Sequence, residues 1–231
     1  MTPFPLGQAM VYGGDGGGVR VDVTPSCQSE ACLAVRERCG ERAYAEVMLD
    51  RAGAIADVAC YRGDLHIVEL GTSPVIGLDD QPDTVIVFDS IDDGPDLYGN
   101  ATLSEDNVVL YGAGAQVSVV GGELGIEGSG AMVRGLRIAG DVVIDRAGAN
   151  LALVEIEGEL FINADDVTVT ESVVKGRVHV GGSGAVLVRN LLNASHLSGT
   201  RLKCNLNQRF ADADGDGLID AAELGGEVSC G

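Results

Sequence analysis

Tryptophan is absent, and aromatic residues make up only 4% of the 231 residues. Prolines number six against 34 glycines, and long polar helical stretches are scarce. That combination argues against a helical bundle and for short strands joined by many turns. Basic residues are few: 15 Lys plus Arg face 35 Asp plus Glu, a formal net charge of −20. Such a surface repels phosphate backbones and acidic lipid headgroups, so no nucleic acid or membrane surface is expected as a partner. No run approaches the roughly 20 apolar residues of a membrane span. The first 20 residues lack a basic start followed by an apolar stretch, so no signal peptide is visible. For a secreted chain, the expectation is that the signal was removed ahead of this numbering. What is present is a 45% hydrophobic composition, enough for a core in one or two domains.

The six cysteines, Cys27, Cys32, Cys39, Cys60, Cys204 and Cys230, sit toward the two ends and are missing from the long middle. Paired C-x-x-C knuckles are absent, which favours disulfide staples and an oxidising compartment over zinc. Six cysteines allow 15 pairings. Residues 1–18, ending in Gly13-Gly14-Asp15-Gly16-Gly17-Gly18, read as a flexible leader. Val19 to Val23 suits a short strand. After Pro25, Ser26 or Ser29 can cap a helix of about 10 residues that Gly40 ends, with Cys32, Val35 and Cys39 on one face. Tyr44 to Asp50 and Ala54 to Tyr61 then read as two strands of a hairpin around Gly53. Residues 19–80 are thereby expected to form a cysteine-containing helix and hairpin cap.

The strongest signal is an internal period. Residues 123–194 divide without gaps into four blocks of 18: ELGIEGSGAMVRGLRIAG, DVVIDRAGANLALVEIEG, ELFINADDVTVTESVVKG and RVHVGGSGAVLVRNLLNA. Columns 2, 4, 9, 11, 14 and 16 of each block are apolar, broken only by Ser172 and Asn190. Apolar pairs at i and i+2 mark strands with one buried face. Three such pairs per block, with Gly122, Gly140, Gly158 and Gly176 at a recurring corner, predict a chain coiling around a narrow apolar core. Charges repeat in the same register. Arg137 with Glu155, Glu157 with Lys175, Glu159 with Arg177 and Glu171 with Arg189 lie 18 apart, where coils spaced about 4.8 Å would stack them. The predicted fold is all-β, a parallel β-helix of 18-residue coils over residues 81–206.

Unequal spacing of the apolar pairs argues for a right-handed coil, with the left-handed β-helix as the alternative. The segments 133–140, 167–176 and 186–193 resemble the strand, tight corner, strand repeats of the pectate-lyase-like superfamily of right-handed parallel β-helix proteins. The resemblance is clear over positions 123–194, looser over 85–206, and specific for architecture rather than activity. Polygalacturonase-like members carry N-T-D, D-D, G-H-G and R-I-K segments, of which only Asp165-Asp166 has a counterpart here, and it reads as a corner. Pectate lyases imply a carboxylate cluster beside a basic residue. Arg177 near Glu159 comes closest, and the 18-residue ion pair already accounts for it. His66, His179 and His196 lie far apart with no nucleophile motif and read as satisfied or exposed side chains. No catalytic residue is therefore assigned.

The sharpest local motif lies at 212–223. Asp212, Asp214, Asp216, Asp220 and Glu223 fill positions 1, 3, 5, 9 and 12 of an EF-hand-type calcium loop, with Gly217 at position 6. Leu218 at position 7 is expected to supply its backbone carbonyl, and an aliphatic stands at position 8; the expected ligand set is Asp212, Asp214, Asp216, Leu218, Asp220 and Glu223. Hard oxygen donors in this order suit Ca2+. The preceding segment 204–210 is too short and polar for an entering helix and no second hand follows. The loop thus resembles the solitary calcium loops of dockerins and thrombospondin type 3 repeats, which implies a structural ion outside the cell. Cys204 and Cys230 flank the loop and are expected to bond. Asp89, Asp92, Asp93 and Asp96 match no complete calcium template and read as a solvated turn. Glu123, Asp141 and Glu159, stacked in one column with Glu127 and Asp145 nearby, read as a solvated acidic face. Phe161 points outward beside Val143.

These readings converge on an extracellular or cell-surface β-helix, stabilised by calcium in a C-terminal segment 207–231. Its expected role is structural or adhesive and non-enzymatic, with a glycan or cell-envelope component as partner. The competing expectation is a polysaccharide lyase or glycoside hydrolase.

Overall fold

The computed structural model describes residues 9–11, 18–22, 37–38, 43–49, 55–62, 64–69, 82–89, 96–112, 115, 118–212, 219 and 221–231. They fall into two compact units, Met1–His66 with Asp83–Val85, and Ile67–Pro82 with Ile86–Gly231. In the first unit an antiparallel sheet runs in chain order through Ala9–Val11, Gly18–Asp22, Ala43–Leu49 and Ile55–Arg62. The expected hairpin is there, with Tyr44 opposite Tyr61 and Leu49 opposite Ile55. Ala9–Val11 lies inside the stretch expected to be a flexible leader, yet it pairs with Val19–Val21. Local propensity misses so short an apolar triplet because its stability comes from its partner strand. Of the expected helix only Glu37 and Arg38, both helical, are described; the rest, with Cys27, Cys32 and Cys39, lies outside the described residues.

The second unit is a parallel β-solenoid of about five turns. Each coil contributes one short strand to each of three parallel sheets. Leu124–Ile126, Met132–Arg134 and Arg137–Ile138 form one coil. Val142–Ile144, Asn150–Ala152 and Glu155–Ile156 form the next. Leu124 faces Val142, Val142 faces Leu160 and Leu160 faces Val178. The expected period therefore holds across all four blocks. Outside them it changes. Val109 faces Met132 across a longer coil, because the chain takes a wider detour from Leu110 to Val119 than between their partners Val133 and Arg137. At the other end Val186 faces Lys203 and Leu191 faces Gln208, so this coil is one residue shorter than the repeat. Gln208–Phe210 thus continues the solenoid past residue 206, its expected end.

The inward columns build the core. Leu124, Ile126, Val133, Leu136 and Ile138 are fully buried, as are Val142, Ile144, Leu151 and Ile156 one coil later. Of these columns only Val178 and Val180, near the C-terminal end, are half-buried. Small aliphatic side chains fit because the three sheets enclose a narrow space, and each keeps the same neighbour type above and below it.

Corners follow three different rules. At one, Gly130, Gly148, Asp166 and Gly184 adopt positive φ; at a second, Gly135, Leu153, Glu171, Arg189 and Leu206 do so. The left-handed conformation costs an L-residue roughly 1–2 kcal/mol, so the second corner needs compensation. Column 14, immediately after it, provides this. Ser172, Asn190 and Asn207 are each buried to 1% exposure. Asn207 Oδ1 accepts from the Asn190 N–H at 3.0 Å and from Asn190 Nδ2 at 2.9 Å, and Asn190 Oδ1 accepts from the Ser172 N–H at 2.9 Å. The remaining protons go to carbonyls of the corner strands: Asn190 Nδ2 to Val169, Asn207 Nδ2 to Leu187 and Ser172 Oγ to Thr170. The two polar breaks in the apolar pattern are thus the start of a buried polar ladder that satisfies corner amides. At the third corner the glycines are needed for close approach. A Cβ on Gly176 would fall 2.2 Å from the Gly158 carbonyl oxygen, and one on Gly158 2.6 Å from that of Gly140.

This arrangement makes Asn190 a stability residue. Asn190→Leu keeps the branched outline of the side chain but strands the Ser172 N–H, and should lower stability by about 1–3 kcal/mol, read as a fall of several degrees in Tm. Asn193→Ala, on an exposed position, serves as the control. Equal melting of Asn190→Leu and the wild type would contradict the ladder's role.

Candidate functional site

Two places gather chemistry-bearing side chains. The first is the outer face of the sheet formed by Ala101–Leu103, Leu124–Ile126, Val142–Ile144, Leu160–Ile162 and Val178–Val180. Residues flanking and alternating with the buried ones point outward here. Glu159, which immediately precedes Leu160–Ile162, gathers the side chains there. One carboxylate oxygen takes Arg177 Nε and Nη2, both at 2.8 Å, and the other lies 3.0 Å from His179 Nε2. The His179 ring stacks on Phe161, centroids 4.6 Å apart and planes 4° from parallel. The Glu159 N–H donates to Asp141 Oδ1 at 2.7 Å. Arg177 first, then His179, holds the Glu159 carboxyl below the ordinary glutamate pKa. Both carboxylate oxygens are engaged, so Glu159 in this state is an ion-pair hub rather than a free base.

Asp141 of the acidic column is tied into the backbone rather than only solvated, and aspartates of another column, Asp165 and Asp106, are tied in the same way. Asp141 caps the next coil's N–H as described, Asp165 Oδ1 accepts from the Ser183 N–H at 2.7 Å, and Asp106 Oδ1 accepts from the Ser129 N–H at 2.7 Å. Asp165-Asp166 forms a corner, Asp166 having φ of 55°.

Three of the four expected 18-residue ion pairs are present: Lys175 with Glu157 at 3.1 Å, Arg177 with Glu159 at 2.8 Å and Arg189 with Glu171 at 2.7 Å. The fourth is corrected. Arg137 and Glu155 are ladder partners, but Glu155 turns to Lys175 at 2.8 Å while Arg137 Nη1 reaches Glu157 at 3.8 Å. A half-buried lysine with two carboxylates in reach takes both. Burial alone would lower the Lys175 pKa, yet its hydrogen bonds to Glu155 and Glu157 outweigh that and hold it above the usual lysine value. The Arg137 shift leaves its buried Nε without a hydrogen-bond partner among the described residues. Lys175 with Glu155 and His179 with Glu159 are diagonal pairs, two positions beyond the directly stacked partner, which a strict 18-residue register overlooks.

The second place is the C-terminal loop. Gln208–Phe210 and Leu224–Glu227 pair antiparallel, Phe210 opposite Leu224, and the Ala211 N–H donates to the Glu223 carbonyl at 3.1 Å. The 12-residue motif therefore lies in a β-hairpin connection, with its first and last positions, Asp212 and Glu223, at the neck. Asp214, Asp216, Leu218 and Asp220 lie outside the described residues. Convergence of Asp212 and Glu223 fits the closing of an oxygen-ligand loop, since positions 1 and 12 must meet at one ion. Cys204 and Cys230 are bonded as expected, with Cα atoms 6.1 Å apart. His196 Nδ1 lies 2.9 Å from Ser229 Oγ. His66 and the acidic run at 89–96 fall where side chains are not described, and Asp92 and Asp93 lie outside the described residues. Among the described residues no helix is long and apolar enough to cross a membrane.

The Glu159 hub sets a sign for pH dependence. A carboxyl whose folded pKa is depressed contributes stability above its unfolded pKa and loses it as pH falls through the folded value. Arg177→Gln should move the Glu159 carboxyl titration, followed by 13C NMR, upward toward the ordinary value, and should flatten the acid side of the Tm against pH curve. An unchanged Glu159 midpoint in that variant would contradict the pairing.

No protein-family model, curated protein or solved structure matches the chain.

Proposed function

We propose that the protein is an extracellular or cell-surface β-solenoid with a structural or adhesive role, whose C-terminal end is fixed by one calcium ion and a disulfide. The observation that carries this reading is the C-terminal hairpin. The Asp212 to Glu223 motif sits between two paired strands, and the Cys204–Cys230 bond clamps the segment that follows it. A structural disulfide belongs to an oxidising compartment, where millimolar calcium suits a loop with five carboxylates. Asp212, Asp214, Asp216, Asp220 and Glu223 would hold the ion, together with a carbonyl at Leu218. Bound there, Ca2+ supplies charge neutralisation that lets five carboxylates share one loop. The loop resembles those of thrombospondin type 3 repeats, and the unequal corners resemble the right-handed, pectate-lyase-like β-helix.

Outward-facing side chains support presentation rather than turnover: Glu159 has both oxygens occupied, and Asp141 and Asp165 serve the backbone. A regular acidic face of this kind suits a glycan or cell-envelope component. The second reading, a polysaccharide lyase or hydrolase, draws on one feature, the grouping of Glu159, Arg177, His179 and Phe161 on a single sheet face.

Calcium binding to the folded state raises Tm by mass action. Millimolar Ca2+ should therefore stabilise the wild type, with Asp212→Ala abolishing the response, in differential scanning calorimetry. Identical melting curves in Ca2+ and in chelator would reject the structural ion. Release of unsaturated or reducing sugars from a polysaccharide panel, lost in Glu159→Gln, would favour the enzymatic reading instead.

A further inference from the structure

The last coil carries three strands, His196–Leu197, Lys203–Asn205 and Gln208–Phe210, and the C-terminal tail pairs with two of them. Leu224–Glu227 pairs with Gln208–Phe210, and Ser229–Cys230 pairs in parallel with His196–Leu197. The third is Lys203–Asn205, which pairs with Val186–Val188 on one side and with no strand on the other among the described residues. Ladder alternation shows which of its groups are unused. The Lys203 N–H donates to the Ala185 carbonyl, and the Asn205 carbonyl accepts from the Arg189 N–H. Residues 203 and 205 therefore bond back to the preceding coil. In a parallel ladder the alternate residues bond forward, as Ala185 and Arg189 do here. Leu202 C=O, Cys204 N–H, Cys204 C=O and Leu206 N–H consequently point off the end. They are two donors and two acceptors at the spacing of one more parallel strand, and backbone groups of this kind seek partners.

Space and charge accompany them. A cavity of about 700 Å3 opens between Leu202, Lys203 and Cys204 on one wall and Glu227, Val228, Ser229 and Cys230 on the other. The Cys204–Cys230 bond ties the two walls together, and Leu206, 62% exposed, adds an apolar contact at the strand's end. Residues 172–211 contain no Asp or Glu but six cations: Lys175, Arg177, Arg189, Arg201, Lys203 and Arg209. The first three find glutamates in the preceding coils. Arg201 bonds the Ser183 hydroxyl at 2.9 Å, and no carboxylate pairs with Lys203 or Arg209 among the described residues. Ion pairs in this solenoid form between neighbouring coils, so the acid matching Lys203 belongs on the strand that would come next.

We propose that the Lys203–Asn205 edge is a peptide-binding site, which takes an extended acidic segment of another protein as an additional parallel strand. Main-chain bonds to Cys204 and Leu206 supply the affinity, and a carboxylate opposite Lys203 supplies the selectivity. A three-residue edge carrying a lysine disfavours indiscriminate pairing, which narrows the partner to one with that acid. This site goes beyond the role proposed above and stands without the calcium loop.

The test uses the full disulfide-bonded chain and three labelled peptides: acetyl-Val-Glu-Val-Thr-Val-amide, the same peptide with Lys for Glu, and the acidic peptide N-methylated at alternate amides. Fluorescence anisotropy should show saturable binding of the acidic peptide, about fivefold tighter than the basic one, the worth of an exposed ion pair. Lys203→Glu, an exposed substitution, should reverse that preference, and saturation should slow hydrogen exchange at the Cys204 and Leu206 amides at least about tenfold. No saturable binding, binding that survives N-methylation, or binding without protection of those two amides would overturn the proposal. Self-association that protects them while no peptide binds would also overturn it, assigning the edge to a second copy of this chain.

Discussion

Backbone hydrogen bonds between successive coils run along the solenoid axis, and they place every side chain directly over its counterpart one coil away. The rest of the structure depends on that stacking. An inward position has to be apolar in each coil because its neighbours above and below are buried with it, as in the column Ile126, Ile144, Ile162. An outward charge meets whatever the next coil presents, which is why glutamates in one coil meet cations in the next. Even a departure obeys the rule: Asn190 is tolerated in a buried column because Ser172 and Asn207, its stacked neighbours, are polar too.

Corners and ends are where the repeating solution stops being self-sufficient. The corner after Met132–Arg134 and its equivalents turns through a left-handed residue, and the buried amide ladder repairs the hydrogen bonding that the sharp turn disturbs. The glycine corner has the opposite logic, since its φ values are ordinary and its backbones approach too closely for a side chain. Beyond Gln208–Phe210 no further coil follows among the described residues, and the tail substitutes for one. It pairs antiparallel with Gln208–Phe210 and in parallel with His196–Leu197, and buries Val228 in between, while the disulfide reaches Lys203–Asn205. Function on such a scaffold resides in what the repeats present outward and in how the ends are finished.

The 18-residue period was legible because aliphatic residues recur at i and i+2 in all four blocks, a pattern that needs no knowledge of partners. Cys204 with Cys230 was legible because the two flank one loop. Less could be read where geometry depends on a choice among neighbours. Arg137 has two glutamates within reach, and only side-chain packing decides that Lys175 claims Glu155. The longer coil before the repeats and the shorter one after them were hidden because length changes in corners leave no apolar signature. Asn207 was missed for the same reason, since the shortened step takes it out of the column that holds Ser172 and Asn190. The strand at Ala9–Val11 draws its stability from a partner, and so short a segment carries too little pattern to announce one. The carboxylate pattern at 212–223 was visible from its spacing, and the hairpin that brackets it was not, because Phe210 and Leu224 flank the motif in segments too short to carry a strand pattern of their own.

Stacked registration is open to direct observation by NMR on methyl-labelled protein. Nuclear Overhauser contacts should link Ile126 to Ile144 and Ile144 to Ile162 in an unbroken series, with Val142 to Leu160 alongside. A series of contacts at any other spacing, or isoleucine methyls that exchange freely with solvent-borne relaxation agents, would contradict the wound architecture and everything argued from it.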